Sequence, residues 1–257
     1  MKQTDARTLA YINLFAVLGS LPHLCELSEE ARGLIADRKI SLGIRVKNGP
    51  CAVLYFDHGR VRMEQGRLPC DILLPFGSPE KFNGMIDGTV TPIPSRGFLR
   101  LGFLLGPFIK LTDVLSRYLR PTAEQLEDGE FFRISTLLMF RVITSAVSQI
   151  GNEDKIGRAS ASYIADGHIR MAITQEGQTL AVAHIVAQDH RLQTVHADTD
   201  TPMSQMEFEG IQNARGLFDG VLSSFTLICD SKLRMGGLIS QLDNVNRILD
   251  RVGLYLA

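Results

Sequence analysis

The hydrophobic positions of this chain change period along its length, and the changes predict alternating helices and strands. Short apolar runs rich in β-branched residues and bounded by glycine-containing turns are typical of strands. Four such runs fall in each half of the chain, at 42–46, 52–56, 61–63 and 72–76, and at 169–173, 180–186, 192–195 and 203–208. Asn48-Gly49 separates the first two runs, and this dipeptide favours a tight β-hairpin turn. Glu176-Gly177 stands at the matching place in the second half.

Helical periods precede and follow each group of strands. We predict long helices over 6–36, broken near Pro22, and over 132–150. A short helix begins at Ser78, a good N-cap, and ends at Gly88, and a similar helix ends at Gly220. A further strand carrying Leu-Arg-x-Gly is predicted after each short helix. A final helix in each half has five apolar positions in one register, namely Leu104, Phe108, Leu111, Leu115 and Tyr118, and, 134 residues later, Leu238, Leu242, Val245, Leu249 and Val252.

Several short motifs occur twice, which indicates an internal duplication. The first copies are Ile35-Ala36-Asp37, Ile86-Asp87-Gly88 and Leu99-Arg100-Leu101-Gly102, and the second copies are Ile164-Ala165-Asp166, Phe218-Asp219-Gly220 and Leu233-Arg234-Met235-Gly236. The offset between copies grows from 129 to 132 to 134 residues, as small insertions would produce. A repeat of this length is a whole domain rather than a solenoid unit. We therefore predict one domain over 1–120, a linker over 121–130 and a second, divergent copy over 131–257.

Composition and charge narrow the function classes. The 257 residues include 27 Lys and Arg against 28 Asp and Glu, a formal net charge of −1 that offers no broad attraction for nucleic acid. The four cysteines have no metal-binding spacing, and they fit a reducing cytoplasm. We read no transmembrane segment and no signal peptide, since the apolar runs at 11–24 and 98–111 are short and interrupted.

The order of elements resembles the sterol carrier protein 2 (SCP2-like) lipid-binding domain. In the first copy the resemblance covers about residues 35–119, and the residues that carry it are 51–57, 60–64, Asp71-Ile72, 78–82, 86–88 and 97–102. In the second copy they are 211–220 and 231–236. The resemblance implies an α+β fold of two tandem SCP2-like domains, each a roughly five-stranded sheet covered on one face by helices. It also implies an apolar tunnel that holds a fatty acyl, sterol or isoprenoid chain.

The candidate tunnel lining consists of apolar residues at strand and helix spacing. In the first copy these are Phe76, Phe82, Met85, Phe98, Phe103, Leu104 and Phe108, and in the second copy Met206, Phe208, Phe218, Leu233, Met235, Leu238 and Leu242. Apolar residues at such spacing are more often ordinary core than the lining of a cavity. Arg100 and Arg234 recur at one position and could meet an acidic head group, or could be solvated charges at a strand end.

No catalytic signature stands out. The chain contains no phosphate-binding loop, GxGxxG, GxSxG or HExxH motif. His196, Asp198 and Asp200 alternate and could hold a divalent cation, or could be a solvated strand end. Asp57-His58 and Asp189-His190 are read as turn residues. We therefore expect no enzyme activity, no cofactor and no metal.

Three readings stay open at this point. The favoured reading is a cytoplasmic protein that binds or carries an apolar ligand. The second is a structural or interaction module with one or both pockets lost, in which the two copies could pack as a pseudo-twofold pair. The third is an accessory factor that presents a lipid to a partner enzyme.

Overall fold

A computed structural model describes residues 4–198 and 201–256. The described chain divides into two compact units, which we call the first unit (Thr4–Leu138) and the second unit (residues 139–256). The division falls inside the helix α7 (Gly129–Glu153). The sequence predicts the domain boundary slightly earlier, in 121–130.

The first unit is a four-stranded sheet with helices before and after it. Its strands are β1 (Lys39–Val46), β2 (Cys51–Asp57), β3 (Arg60–Gln65) and β4 (Ile72–Phe76). Its helices are α1 (Ala6–Ile12), α2 (Leu21–Leu27), α3 (Glu29–Gly33), α4 (Pro79–Ile86), α5 (Leu101–Phe103) and α6 (Ile109–Leu119), with the first turns of α7. A π-helical turn at Asn13–Val17 and a 3-10 turn at Leu18–Ser20 join α1 to α2. A 3-10 turn at Phe98–Arg100 precedes α5, and a π-helical turn at Leu104–Phe108 joins α5 to α6.

The second unit is a five-stranded sheet with helices. Its strands are β5 (Gly167–Gln175), β6 (Gln178–Gln188), β7 (Arg191–Val195), β8 (Ser204–Glu209) and β9 (Leu233–Gly237). Its helices are the rest of α7 with α8 (Lys155–Ala161), α9 (Ile211–Phe218), α10 (Ser224–Cys229) and α11 (Ile239–Leu256). The sequence pattern predicts neither α8 nor α10.

The first four strands of each unit have the same arrangement. The order is β3-β2-β1-β4 in one sheet and β7-β6-β5-β8 in the other, where β9 then follows on β8. In both sheets the first three strands of the chain form antiparallel pairs, while the fourth lies parallel to the first.

Local conformations also recur at repeat positions. Gly88 and Gly220 have φ values of 71° and 70°, and each follows a short helix. Such left-handed residues end helices without the steric penalty that a Cβ atom adds. The hairpin turn residues Asn48 and Glu176 likewise have φ values of 56° and 52°.

The predicted fifth strand of the first unit is wrong. Residues 98–103 form a 3-10 turn and α5 instead, and only an isolated bridge between Leu73 and Arg96 marks the place beside β4. Gly97, directly after this bridge, has a φ of 87°. In the second unit the matching Leu-Arg-x-Gly segment does form a strand, β9. The first sheet therefore has four strands and the second has five.

Two helical stretches have the length and composition of a membrane span. They are Ala6–Leu27 and Gly129–Glu153, and 61% of each apolar window is buried within the protein. The core helices of water-soluble proteins satisfy the same criteria, so these stretches are weak indications of a membrane span.

Candidate functional site

The interior of the first unit lies between one face of its sheet and its helices. Side chains alternate across a strand, so that Leu42 and Ile44 of β1 point to this interior together with Leu54 and Phe56 of β2. All four side chains are almost completely buried. The interior is thus a continuous apolar layer.

Aromatic rings fill the part of this interior next to α5 and α6. Phe56 packs edge-on against Phe103, with ring centroids 4.9 Å apart, and against Phe108 at 6.1 Å. A second edge-on pair joins Phe76 of β4 to Phe82 of α4 at 5.2 Å. Edge-to-face aromatic pairs are favourable beyond the area they bury.

Most of the predicted lining of the first unit comes together in this interior. Five predicted residues belong to one buried cluster: Phe76, Phe82, Phe103, Leu104 and Phe108. Met85 is partly buried and packs against the cluster. Phe98 is exposed at the surface of the 3-10 turn that replaces the predicted strand.

The N-terminal helices contribute interior residues that the predicted lining omits. Leu14, Leu18 and Leu21 are buried in the same cluster as Phe82. Their spacing of four and three residues is the signal of a helix face and would have placed them here. Cys25, further along this face, is also buried, and burial raises the pKa of its thiol to about 12.

Two π-helical turns face this interior. Pro107 lies inside the turn Leu104–Phe108, and because proline has no N–H and its ring clashes with the preceding turn, a regular α-helix is disrupted there. The other turn, Asn13–Val17, lies a few residues before Pro22. Segments of this kind frequently occur at functional sites.

A buried amide pair fixes the π-helical turn of the N-terminal helix to α4. The Nδ2 of Asn13 donates to the Oδ1 of Asn83 at 3.1 Å, and the Nδ2 of Asn83 donates to the backbone oxygen of Ala6 at 2.9 Å. Both amides are buried, so these hydrogen bonds offset the desolvation of their polar groups.

Only some residues of the predicted lining are buried in the second unit. Four residues are buried, namely Met206, Phe208, Leu233 and Leu242. Phe218 is partly buried and packs against the rings of Phe208 at 5.9 Å and Phe140 at 6.5 Å. Met235 is partly buried on β9, and Leu238 is exposed just before α11.

The two arginines of the repeated motif are held in ion pairs. Arg100 contacts Asp71 at 2.5 Å, and Asp71 also accepts hydrogen bonds from the backbone N and the hydroxyl of Ser41. Burial opposes ionisation of Asp71, but the hydrogen bonds from Ser41 and the charge of Arg100 hold its pKa below the ordinary value. Arg234 pairs with Glu207 at 3.3 Å and Glu209 at 2.5 Å. Both arginines thus have carboxylate partners within the protein.

Two of the three alternating residues that could hold a cation in the second unit contact other side chains. Asp198 contacts the Nε2 of the buried His184 at 3.2 Å and Arg170 at 3.3 Å, and these interactions lower its pKa. His196 lies after the end of β7, with its Nε2 3.1 Å from the hydroxyl of Thr144. Asp200 lies outside the described residues. Within the described part of the chain, no three His, Cys, Asp or Glu side chains are grouped to hold a metal ion.

Two open pockets lie on the first unit, away from the predicted lining. One, of about 500 Å³, lies beside Glu30, Arg117, Tyr118 and Phe131. The other, of about 430 Å³, is lined by Ser41, Pro69, Cys70, Asp71, Arg96 and Arg100. Neither of these two pockets is lined by a residue of the predicted lining.

Comparison with solved structures returns sterol carrier protein 2 and SCP2-like domains, the family that the residue pattern resembles. Sterol carrier protein 2 like 2 from Aedes aegypti is 9% identical with a TM-score of 0.34, and the match covers 46% of this chain and 96% of that one. Sterol carrier protein 2 from Yarrowia lipolytica in its apo form is 14% identical with a TM-score of 0.33, covering 40% and 91%. UbiJ-SCP2, a ubiquinone synthesis protein, is 13% identical with a TM-score of 0.32, covering 44% and 88%. No protein-family model and no curated protein matches the chain.

Proposed function

We propose that this protein is a cytoplasmic, non-enzymatic carrier that binds a fatty acyl, sterol or isoprenoid chain in the interior of the first unit. The observation that supports the proposal is the apolar layer between sheet and helices, which is bordered by two π-helical turns. We also propose that the second unit is a divergent copy of the same domain, since its first four strands have the same order and directions.

Apolar burial alone supplies enough free energy for such binding. Each buried methylene contributes about 0.8 kcal/mol, so a sixteen-carbon chain could gain on the order of 13 kcal/mol before the ordering terms are subtracted. A site of this kind needs no charged anchor. The pairing of Arg100 with Asp71 is therefore compatible with it.

Binding in the proposed place requires side chains to move. Phe103 and Phe108 stand between β2 and the turn Leu104–Phe108, and their rings occupy the space that a ligand would take. We propose that this turn shifts outward when ligand enters, because a π-helical turn with an internal proline lacks the regular hydrogen-bond ladder that would resist the shift.

The first test is native mass spectrometry of the purified full chain, followed by organic extraction and lipid identification. A co-purified acyl, sterol or isoprenoid species near one per chain is expected. Uptake of a fluorescent fatty acid should change in Phe103→Leu, which enlarges the proposed site. Phe208→Leu, the same change in the second unit, is the matched control and should leave uptake unaltered. Protein that is empty after purification and takes up no fluorescent fatty acid would contradict the proposal.

A second candidate function is the presentation of a lipid to a partner enzyme. Exposed apolar residues near α10 of the second unit favour it, namely Val221, Phe225 and Ile228. Contiguous apolar surface of this kind often marks a protein contact. Recovery of one stoichiometric enzyme partner that Phe225→Ser releases, together with lipid-bound chain, would favour this candidate over a carrier without a partner, whereas the same partner with lipid-free chain would favour an interaction module.

A further inference from the structure

The segment 88–112 of the first unit is apolar on both of its sides. Phe103, Leu104 and Phe108 point inward and are buried. On the outside, Phe98, Leu99, Leu105 and Ile109 have 58%, 103%, 70% and 45% of their surface exposed, and we call these four residues the apolar ridge. A helical segment that is hydrophobic all round is normally buried in a larger core or in lipid. The ridge therefore lacks a covering partner in the isolated chain.

Three residues of the ridge share one side of the helical run. Phe98, Leu105 and Ile109 are separated by seven and four residues, a spacing that aligns side chains along a helix. Gly102 lies between them on this side and is also exposed. Leu99 is adjacent to Phe98 and fully exposed. The ridge thus presents four exposed apolar residues within one short segment of the first unit.

The charges within residues 88–112 have one sign, and the exposed Asp113 follows directly after this segment. Residues 88–112 include no Asp or Glu, but they include Arg96, Arg100 and Lys110, and all three are exposed. Arg100 is neutralised by Asp71. Among the described residues, no ion pair engages Arg96 or Lys110. This local excess of positive charge contrasts with the net charge of −1 of the whole chain.

The open pocket of about 430 Å³ adjoins this segment, since both Arg96 and Arg100 line it. Gly97, with a φ of 87°, separates Arg96 from Phe98, so the pocket and the ridge meet at this turn. Asp71 also lines the pocket and pairs with Arg100, so an anionic group there would contact Arg96 while apolar chains attached to it contact the ridge. Lipids with anionic head groups combine these two chemistries.

We infer that the apolar ridge docks on an anionic lipid bilayer surface. Phe98, Leu99 and Leu105 enter the boundary between head groups and acyl chains, and Arg96 and Lys110 contact lipid phosphates. Apolar side chains interleaved with Arg and Lys are typical of segments that lie in this interface. The inference goes beyond the proposed function and stands independently of whether the interior of the first unit takes up a ligand.

Charge distinguishes the ridge from the other exposed apolar surface. Residues 220–229 of the second unit present Val221, Phe225 and Ile228 but contain no charged residue. We therefore do not assign that surface to an anionic membrane. It supplies a control, because Phe225→Ser is the same substitution as Phe98→Ser at a similarly exposed position.

The test is flotation of the full chain with vesicles of phosphatidylcholine and phosphatidylglycerol at a 3:1 ratio, and with vesicles of phosphatidylcholine alone. We expect binding to the anionic vesicles that weakens as the salt concentration is raised.

The double variant Phe98→Ser/Leu99→Ser should lower binding by at least about tenfold, since it removes two side chains from the apolar boundary. Arg96→Gln/Lys110→Gln should lower it by about fivefold for each charge removed. Phe225→Ser should bind like the unchanged protein, and circular dichroism should show all variants folded.

Other outcomes overturn the inference. Absence of vesicle binding by the unchanged protein would do so, as would binding that neither double variant alters. If analytical ultracentrifugation shows self-association that Phe98→Ser/Leu99→Ser abolishes, and vesicles do not bind, the ridge is a contact between copies of the chain. Vesicle binding without fatty acid uptake would leave the inference standing and count only against the proposed carrier.

Discussion

The phenol of Tyr255 donates a hydrogen bond of 2.9 Å to the carboxylate of Asp154, which precedes it by 101 residues in the second unit. Asp154 also caps α8 by accepting from the backbone N–H groups of Ile156 and Gly157. Arg251 completes the set, with its Nε 2.6 Å from the carboxylate. This buried carboxylate joins α8 to α11. Its hydrogen bonds and its ion pair determine how mutation and acid change the free energy of unfolding of the second unit.

Asp154→Asn is expected to lower the free energy of unfolding of the second unit by about 3 kcal/mol. Asparagine still caps a helix, so the loss comes mainly from leaving the largely buried Arg251 without its charge partner. Urea denaturation at pH 7, monitored by circular dichroism, measures it. Tyr255→Phe, which removes one hydrogen bond to a charged group, should lose only about 1.5 kcal/mol. Equal losses in the two variants would contradict the assigned roles.

Acid should weaken the same unit through Asp154. Burial opposes ionisation of Asp154, but Arg251, Gly157 and Tyr255 together hold its pKa below the ordinary value. Since the folded pKa lies below the unfolded value of about 3.9, this stabilisation is complete above that pH and is lost as the pH falls through the folded pKa. The midpoint of urea unfolding should therefore fall less steeply below about pH 4 in Asp154→Asn than in the unchanged chain. Parallel pH profiles would exclude Asp154 as a source of the acid sensitivity.

A glycine is required where the first unit leaves its sheet. A Cβ on Gly97 would lie 2.5 Å from the backbone oxygen of Asp71, and the φ of 87° is unfavourable for other residues. Gly88 has a similar φ of 71° but open space around it. We expect Gly88→Ala to lower the free energy of unfolding by about 1 kcal/mol, and Gly97→Ala by at least about 2 kcal/mol more. Thermal unfolding of the two variants measures the difference, and similar losses would show that the close contact is relieved at little cost.

One part of the fold was not predictable from its motif. Leu-Arg-x-Gly forms a strand in the second unit because Leu233 and Met235 point to the interior from β9, paired with Phe208 and Met206 of β8. In the first unit the ladder beside β4 stops at Arg96, before the motif begins, although a left-handed residue precedes the motif in both units, Gly97 in the first and Ser231 in the second. The same four-residue pattern thus forms a strand in one unit and a helical turn in the other. Which of the two forms depends on tertiary contacts outside the motif.

The strands, by contrast, were predictable from local signals. The two hairpins Lys39–Asp57 and Gly167–Gln188 follow from alternation of apolar residues around turns with left-handed residues. Strand alternation and helical spacing indicate which side of an element is buried, so most residues of the predicted lining are buried or partly buried, and their contact with a ligand stays a prediction. Phe98 and Leu238 are exposed because each lies at a junction between elements, where the helical or strand period does not extend.

Thiol reactivity should report the burial of the N-terminal helix face. Cys25 is buried and its pKa is raised to about 12, whereas Cys229 is exposed at the end of α10. Because the thiolate is the reactive form, we expect Cys229 to react rapidly with a disulfide reagent in the native protein and Cys25 to react only on unfolding. Mass spectrometry of the labelled peptides distinguishes them, with Cys229→Ser as the control. Fast labelling of Cys25 under native conditions would show that this face of the helix opens readily.

Replacing Pro107 is expected to stabilise the first unit and to slow the exchange of the proposed ligand. Its ring and missing N–H disrupt the helix at Leu104–Phe108, so Pro107→Ala would allow a new backbone hydrogen bond to the oxygen of Phe103. We expect a gain of about 1 kcal/mol, which corresponds to a rise in Tm of roughly 2–4 °C. Pro121→Ala, outside the helices of the first unit, is the control and should give no gain in Tm.

If the turn Leu104–Phe108 moves to admit a ligand, the stabilised variant Pro107→Ala should also release a fluorescent fatty acid more slowly, measured by stopped-flow transfer to acceptor vesicles. A higher Tm with an unchanged release rate would mean that the ligand enters elsewhere in the first unit. A lower Tm would mean that the π-helical turn itself stabilises the packing of Phe103 and Phe108 on Phe56.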